Sequence, residues 1–327
     1  MRPELPRSEI EGMRLSAAVE AAADGCRCWR IVCHDEAVAE LYRSEALESE
    51  VRRWCADHLD AWRMPHNTDI VNTSLGDTHL TWAGGGAGTC VFLPGTNFNA
   101  ATSTGLLGVL STRCRVVCAD LPGQPGLSAA DRPSDETTGF ARWVAELLEE
   151  VRRRGPGGKV VLMGHSRGAA VALSADPDSV DSLVLLSPAG LARVHLTPGV
   201  LVGSVMWLIR PTPSTSGRLV QRITGGDAKS FDLVVDWMTL VGRSTRATGA
   251  PGPLPREVLV RWLGRPIQIL VGRGDVFFPP RRLEGPVQRY LGRHVEVIDD
   301  AGHLLVDQRP DAVSAALTDA LAEHNPH

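Results

Sequence analysis

Six short, nearly continuous apolar runs punctuate the chain after residue 88: TCVFLPG (89–95), RVVCADLPG (115–123), KVVLMG (159–164), VDSLVLLSP (180–188), RPIQILVGRGD (265–275) and HVEVIDDAGH (294–303). Each is too short for a helix and stops at Gly, Pro or Asp, the pattern of a strand buried on both faces. Between them TTGFARWVAELLEEVRRR (137–154) repeats its apolar positions at the helical period and ends at Gly155-Pro156. RGAAVALSA (167–175) predicts a short helix and PDAVSAALTDALAEH (310–324) a closing one. Apolar strands alternating with helices predict an α/β fold, with a mostly parallel central sheet covered by helices on both faces. In such sheets ligands bind at the carboxyl ends of the strands.

The pattern differs at two places. Ahead of the strands, SEIEGMRLSAAVEAAADG (8–25) and ELYRSEALESEVRRWCADHLDAWRMP (40–65) have amphipathic helical spacing, the first with Ser8 as N-cap and Glu11 three residues later. DIVNTS (69–74) and THLTW (78–82) alternate and predict a hairpin through Gly76-Asp77. Between Ser187 and residue 265 the strand rhythm lapses for more than seventy residues, too many for a plain connection. This stretch holds the apolar run GVLVGSVMWLI (199–209), the segment RPTPSTSG, and a helical KSFDLVVDWMTLVG (229–242). The expected organisation is a helical N-terminal extension (1–67), an α/β core (68–190 and 263–327) and an inserted helical cap (191–262).

Composition narrows the classes. A formal net charge of −4 leaves no basic footprint for nucleic acid. The longest apolar run is too short to span a bilayer, and the first residues lack the apolar core of a signal peptide. The seven cysteines, an odd number, are then expected as reduced thiols in a cytoplasmic protein. Cys26, Cys28, Cys33 and Cys55, with His34, raise the question of zinc, but C-x-C-x4-C-H is not the spacing of structural zinc pairs, and small apolar positions are the preferred reading. The glycine cluster 84–88 leads into a strand and reads as a turn. GPGGKV (155–160) lacks the hydroxyl residue of a phosphate loop, because Val160 stands in its place. No metal and no cofactor are expected, and the sequence leaves the oligomeric state open.

One constellation carries chemistry. Ser166 lies in Gly-His-Ser-Arg-Gly at a strand-to-helix junction, where Gly164 and Gly168 remove side chains that would block a tight turn. Its hydroxyl needs a base. His303 follows the last strand and Asp275 the strand before it, so the three tips share one sheet edge, in the order Ser, Asp, His. His165, beside the serine, is expected to point elsewhere. The ordinary alternatives are a turn serine, a capping aspartate and a surface histidine; each is plausible alone, but together they are an improbable coincidence.

On these motifs the sequence resembles the α/β-hydrolase superfamily from about residue 70 to the C-terminus. GHSRG stands for the nucleophile elbow, GRGDVFFPP for the acid turn, AGHLLVDQRP for the histidine turn, and DLPGQPGLS for the D-x-x-G-x-G-x-S turn with one extra residue. The resemblance implies a Ser166–Asp275–His303 triad and an oxyanion hole from the amides of Thr96 and Arg167, with Gly95 or Asn97 as alternatives to Thr96. The sequence departs from the family in three ways. Pro94 replaces the usual histidine before the oxyanion glycine, Pro177 shortens the helix after the elbow, and Ser187 occupies the position where some members carry the acid.

The expected function is hydrolysis of a carboxylic ester, lactone or thioester of a small hydrophobic molecule through an acyl-serine. Met206, Trp207, Trp237 and Met238 of the cap are candidates to line its pocket, though packing between cap and sheet is the plainer role for each. An acyltransferase or cyclase, or a carrier-chain thioesterase, would use the same triad with another acceptor, and a non-catalytic binding protein could share the fold. Asp227, Asp232 and Asp236 leave peptidase action open.

Overall fold

The computed structural model describes residues 40–322 apart from 156, 227–230 and 248. The helix expected over 8–25 and Cys26, Cys28, Cys33 and His34 lie outside the described residues. The second leader helix, α1 (Glu45–Asp60), starts five residues later than the pattern suggested, because Ser44 caps it by accepting from the Leu47 amide at 3.3 Å. Leu41 and Tyr42 ahead of it are buried, and Tyr42 bridges to Thr245.

The hairpin forms from β1 (His66–Thr73) and β2 (Gly76–Ala83). Its turn falls on Ser74 and Leu75, two residues earlier than expected. Gly76 follows with φ 82°, a left-handed conformation that glycine adopts without a Cβ penalty. The other strands are β3 (Thr89–Leu93), β4 (Arg115–Ala119), β5 (Val160–His165), β6 (Ser182–Leu186), β7 (Ile267–Gly272) and β8 (Glu296–Ile298). They assemble in the order β1-β2-β4-β3-β5-β6-β7-β8, parallel from β4 through β8, with the hairpin antiparallel at one edge.

Side chains alternate across this sheet. Phe92, Met163, Val184 and Leu270 enter one core, while Val91, Leu162, Leu185 and Ile269 enter the other. The first core is completed by α2 (Thr104–Leu110) and α11 (Pro310–Ala322), the second by α3 (Glu136–Arg154), α4 (Arg167–Ser174) and α9 (Pro280–Leu291). The sequence pattern did not reveal α9, because Pro280 opens it and Pro286 lies inside it.

Between β6 and β7 the chain forms α5 (Pro198–Ile209), α6 (Pro213–Thr224), α7 (Asp232–Ser244) and the short α8 (Arg256–Leu259). The segment RPTPSTSG, to which the sequence pattern assigned no element, runs into the start of α6. Thr212 and Thr215 form a reciprocal capping box, and Pro213 takes the first helical position, where its missing N–H has no role. A last short helix, α10 (Leu305–Gln308), follows β8 and its loop. Among the described residues no helix is long and apolar enough to cross a membrane.

Candidate active site

Ser166 sits between β5 and α4 with φ 50° and ψ −112°, a strained conformation for a residue with a side chain. Close packing imposes it. A Cβ on Gly164 would collide with the carbonyl of Gly168, and one on Gly168 with the carbonyl of Leu93. Both glycines of G-x-S-x-G are therefore required by the approach of α4 to β3 and β5. The Ser166 amide donates to the Leu186 carbonyl at 2.9 Å, tying the turn to β6.

The three predicted side chains meet. Ser166 Oγ and His303 Nε2 are 3.0 Å apart, and His303 Nδ1 lies 2.9 Å from Asp275 Oδ2. All three residues are buried. Asp275 serves two purposes at once: its Oδ1 accepts from the amides of Phe277 and Phe278, each at 2.9 Å, while its Oδ2 faces the imidazole. The turn-cap reading and the triad reading of this aspartate thus each describe one oxygen. Burial alone would push the Asp275 carboxyl up. The charge and hydrogen bond of His303 and the Phe278 amide outweigh it and hold the group below the ordinary carboxylate range. Phe277 packs edge-on against the His303 ring at 4.8 Å.

His165 points away from the serine, and its Nε2 lies 2.9 Å from the His303 carbonyl. Burial, and then the neighbouring His303, push its pKa down to about 3, so Nε2 carries a proton as donor and the ring stays neutral. Ser187, in the position of the alternative acid, has φ 45° and a buried hydroxyl.

The loop after β3 faces the elbow. A Cβ on Gly95 would lie 2.9 Å from His165 Nδ1 and 3.4 Å from the Ser166 Cβ. Of the three candidate amides, that of Asn97 is already committed, donating to Gln124 Oε1 at 3.0 Å. No partner is found among the described residues for the amide of Thr96, nor for that of Arg167 at the first position of α4, where no helical carbonyl precedes it. The Arg167 side chain runs the other way and pairs with Glu136 at 2.9 Å.

Sequence reasoning missed the groups that hold this loop. Asp120 accepts from the Ala100 amide at 2.8 Å and the Leu127 amide at 3.0 Å, and Asn99 Nδ2 donates to the Pro125 carbonyl and to the sulfur of buried Cys55. The aspartate of DLPGQPG was the available signal, since that motif was recognised only as a turn.

The four cap residues expected at a pocket have other surroundings. Trp237 is fully buried: its Nε1 donates to the Asn97 carbonyl at 2.6 Å and its ring lies 4.6 Å from that of Trp54. Trp207 donates to the Met238 carbonyl at 2.9 Å, Met238 is buried with it, and Met206 is exposed. A cavity does open beside the elbow, but its walls include Gly95, Phe98, Thr102, Leu106, His165 and Asp307 and none of these four.

The alpha/beta hydrolase family profile matches residues 90–316, which contain nearly all of β3, the strands β4 to β8, the helices between β6 and β7, and all three residues of the hydrogen-bonded chain, but not the hairpin β1-β2. The chain belongs to the alpha/beta hydrolase family. This family member is 27% identical over 248 residues to an uncharacterized protein of Mycobacterium tuberculosis, covering 67% of this chain and 71% of that one. In three dimensions it is similar to naproxen esterase of Bacillus subtilis, with TM-score 0.67 and 20% identity over 82% of this chain and 95% of that one. It is also similar to the carboxylesterase CesB of Bacillus subtilis, with TM-score 0.69 and 19% identity over 86% and 100% of the two chains. At these identities the structural likeness speaks of the fold.

Proposed function

We propose that this alpha/beta hydrolase is a serine hydrolase that cleaves a carboxylic ester, lactone or thioester of a small hydrophobic molecule. The observation that supports it best is the unbroken chain from Ser166 Oγ through His303 to Asp275, at 3.0 and 2.9 Å, on a strained elbow. His303 Nε2 takes the hydroxyl proton as Ser166 Oγ attacks the carbonyl carbon. The amides of Thr96 and Arg167 hold the resulting oxyanion. Collapse expels the leaving alkoxide or thiolate, which takes the proton from His303. Water then attacks the acyl-serine by the same route, and Asp275 keeps the imidazole oriented throughout. The likeness to two carboxylesterases favours an ester among these substrates.

In this reading residues 191–262 form a cap over the strand tips that carry the triad, and side chains there select the substrate. Acyl transfer differs from hydrolysis only in the acceptor, so products formed in the presence of an added alcohol or thiol separate the two.

The test is covalent labelling. A fluorophosphonate should add once per chain, with the modified peptide carrying Ser166. Ser166→Ala should lose the label and lower kcat on an activated aryl ester by about 10³-fold or more. A parent protein that hydrolyses the ester with Ser166 unmodified would overturn the assignment.

A further inference from the structure

The helix α6 ends at Thr224, and the last carbonyls of a helix have no partner within it. Here two of them are used by the loop that carries His303. The Ile223 carbonyl accepts from the His303 amide at 2.8 Å. The Thr224 carbonyl accepts from Gln308 Nε2 at 3.0 Å, and the same Gln308 accepts through Oε1 from the Gly302 amide at 2.8 Å. On the opposite side the His303 carbonyl is held by His165. The backbone of His303 is thus clamped between the elbow and a helix from the β6–β7 insertion. The contact has no slack, since a Cβ on Gly302 would lie 2.5 Å from the Ile223 oxygen and 2.7 Å from the Thr224 carbonyl carbon.

We propose that Gln308 is a positioning residue that latches α6 to the His303 loop, so that the seating of this helix sets the reach of the imidazole to Ser166. The inference rests on the reading of Ser166 as nucleophile and His303 as its base. Gln308 touches neither substrate nor the reacting atoms. Among the described residues it is the one side chain that bonds both the helix end and the loop. Its amide supplies a donor for the first and an acceptor for the second, a pairing no carboxylate provides. The insertion then contributes to the chemical step as well as to binding, because a shift of about 1 Å in a general base can cost on the order of 10²-fold in rate.

The test uses Gln308→Glu and Gln308→Ala in the full chain, assayed on a small activated ester and by the rate of fluorophosphonate labelling at Ser166. Glu keeps the shape and the bond from Gly302 but cannot donate to Thr224. If the latch positions His303, both variants lose about tenfold in kcat and in labelling rate, with KM changed less than twofold and active-site titration complete. Two results would overturn the proposal. In one, Gln308→Glu retains the parent kcat, so that only the Gly302 bond matters. In the other, activity falls only in proportion to the titratable sites, which marks a purely structural role. The isosteric Glu variant keeps the question open to measurement should Ala fail to fold. Failure of the underlying reading is separate, for the parent itself would then not label at Ser166.

Discussion

Gly168 shows how little freedom the elbow has. A methyl group there would overlap the Leu93 carbonyl, which is backbone of a central strand and cannot rotate away. Gly168→Ala is expected to cost about 3 kcal/mol or more in chemical denaturation and to abolish Ser166 labelling before it abolishes the fold. Asp307 is a different kind of residue. As a residue it is exposed, yet it lines the recess beside His165 and Gly95, where burial of the carboxyl pushes its pKa up to about 7. Both residues were present in the quoted motifs. The sequence marked Gly168 because it belongs to a short contiguous motif, although the carbonyl that fixes it comes from β3. It gave no sign of Asp307's surroundings, since the Phe98 and Leu106 that share the recess come from some two hundred residues away.

At the level of elements, Trp237 on α7 is tied to the loop after β3 and does not line the cavity beside the elbow. Its indole N–H is given to the Asn97 carbonyl, and Asn97 itself has φ 65°. Trp237→Phe keeps most of the buried surface but leaves that carbonyl without its donor, at a cost of about 1–3 kcal/mol. The expected kinetic signature is a lower kcat with little change in KM on a short acyl ester, as the Thr96 amide loses its fixed position. An unchanged kcat with a lower Tm would make Trp237 a packing residue only. Sequence reasoning marked this tryptophan as important for its size and apolar area, and left open whether it met ligand or core. Only its partner across 140 residues distinguishes the two.

Across the whole molecule, two groups give stability opposite slopes with pH. His165 is folded neutral, with a pKa near 3 set first by burial. Its contribution is present above its unfolded value of about 6.5 and is lost as pH falls toward 3, because the unfolded chain takes up the proton first. Asp307 has a raised pKa, so its contribution is full below about 4 and is lost as pH rises toward 7. Water reaching the carboxyl through the recess softens this second effect. Thermal melts between pH 4 and 8 should therefore show Asp307→Asn gaining on the parent at pH 8, with the gap closing at pH 4. His165→Gln should flatten the acid limb, and parallel curves for all three proteins would show that neither group is perturbed as described.

The chain by itself determined the α/β class, the strands, the elbow and the order of the three candidate catalytic residues. These follow from local rules: apolar runs make buried strands, glycines permit a strained turn, and polar groups gather where strands end. Tertiary structure decided what the long insertion touches. Trp237 against Asn97, the end of α6 against the His303 loop, and Asp120 and Gln124 beneath the Gly95–Asn97 turn all join segments far apart in sequence. No periodicity encodes such contacts, because a hydrogen bond between distant segments depends on where the sheet brings both, and the sheet order β4-β3-β5 is itself a product of folding.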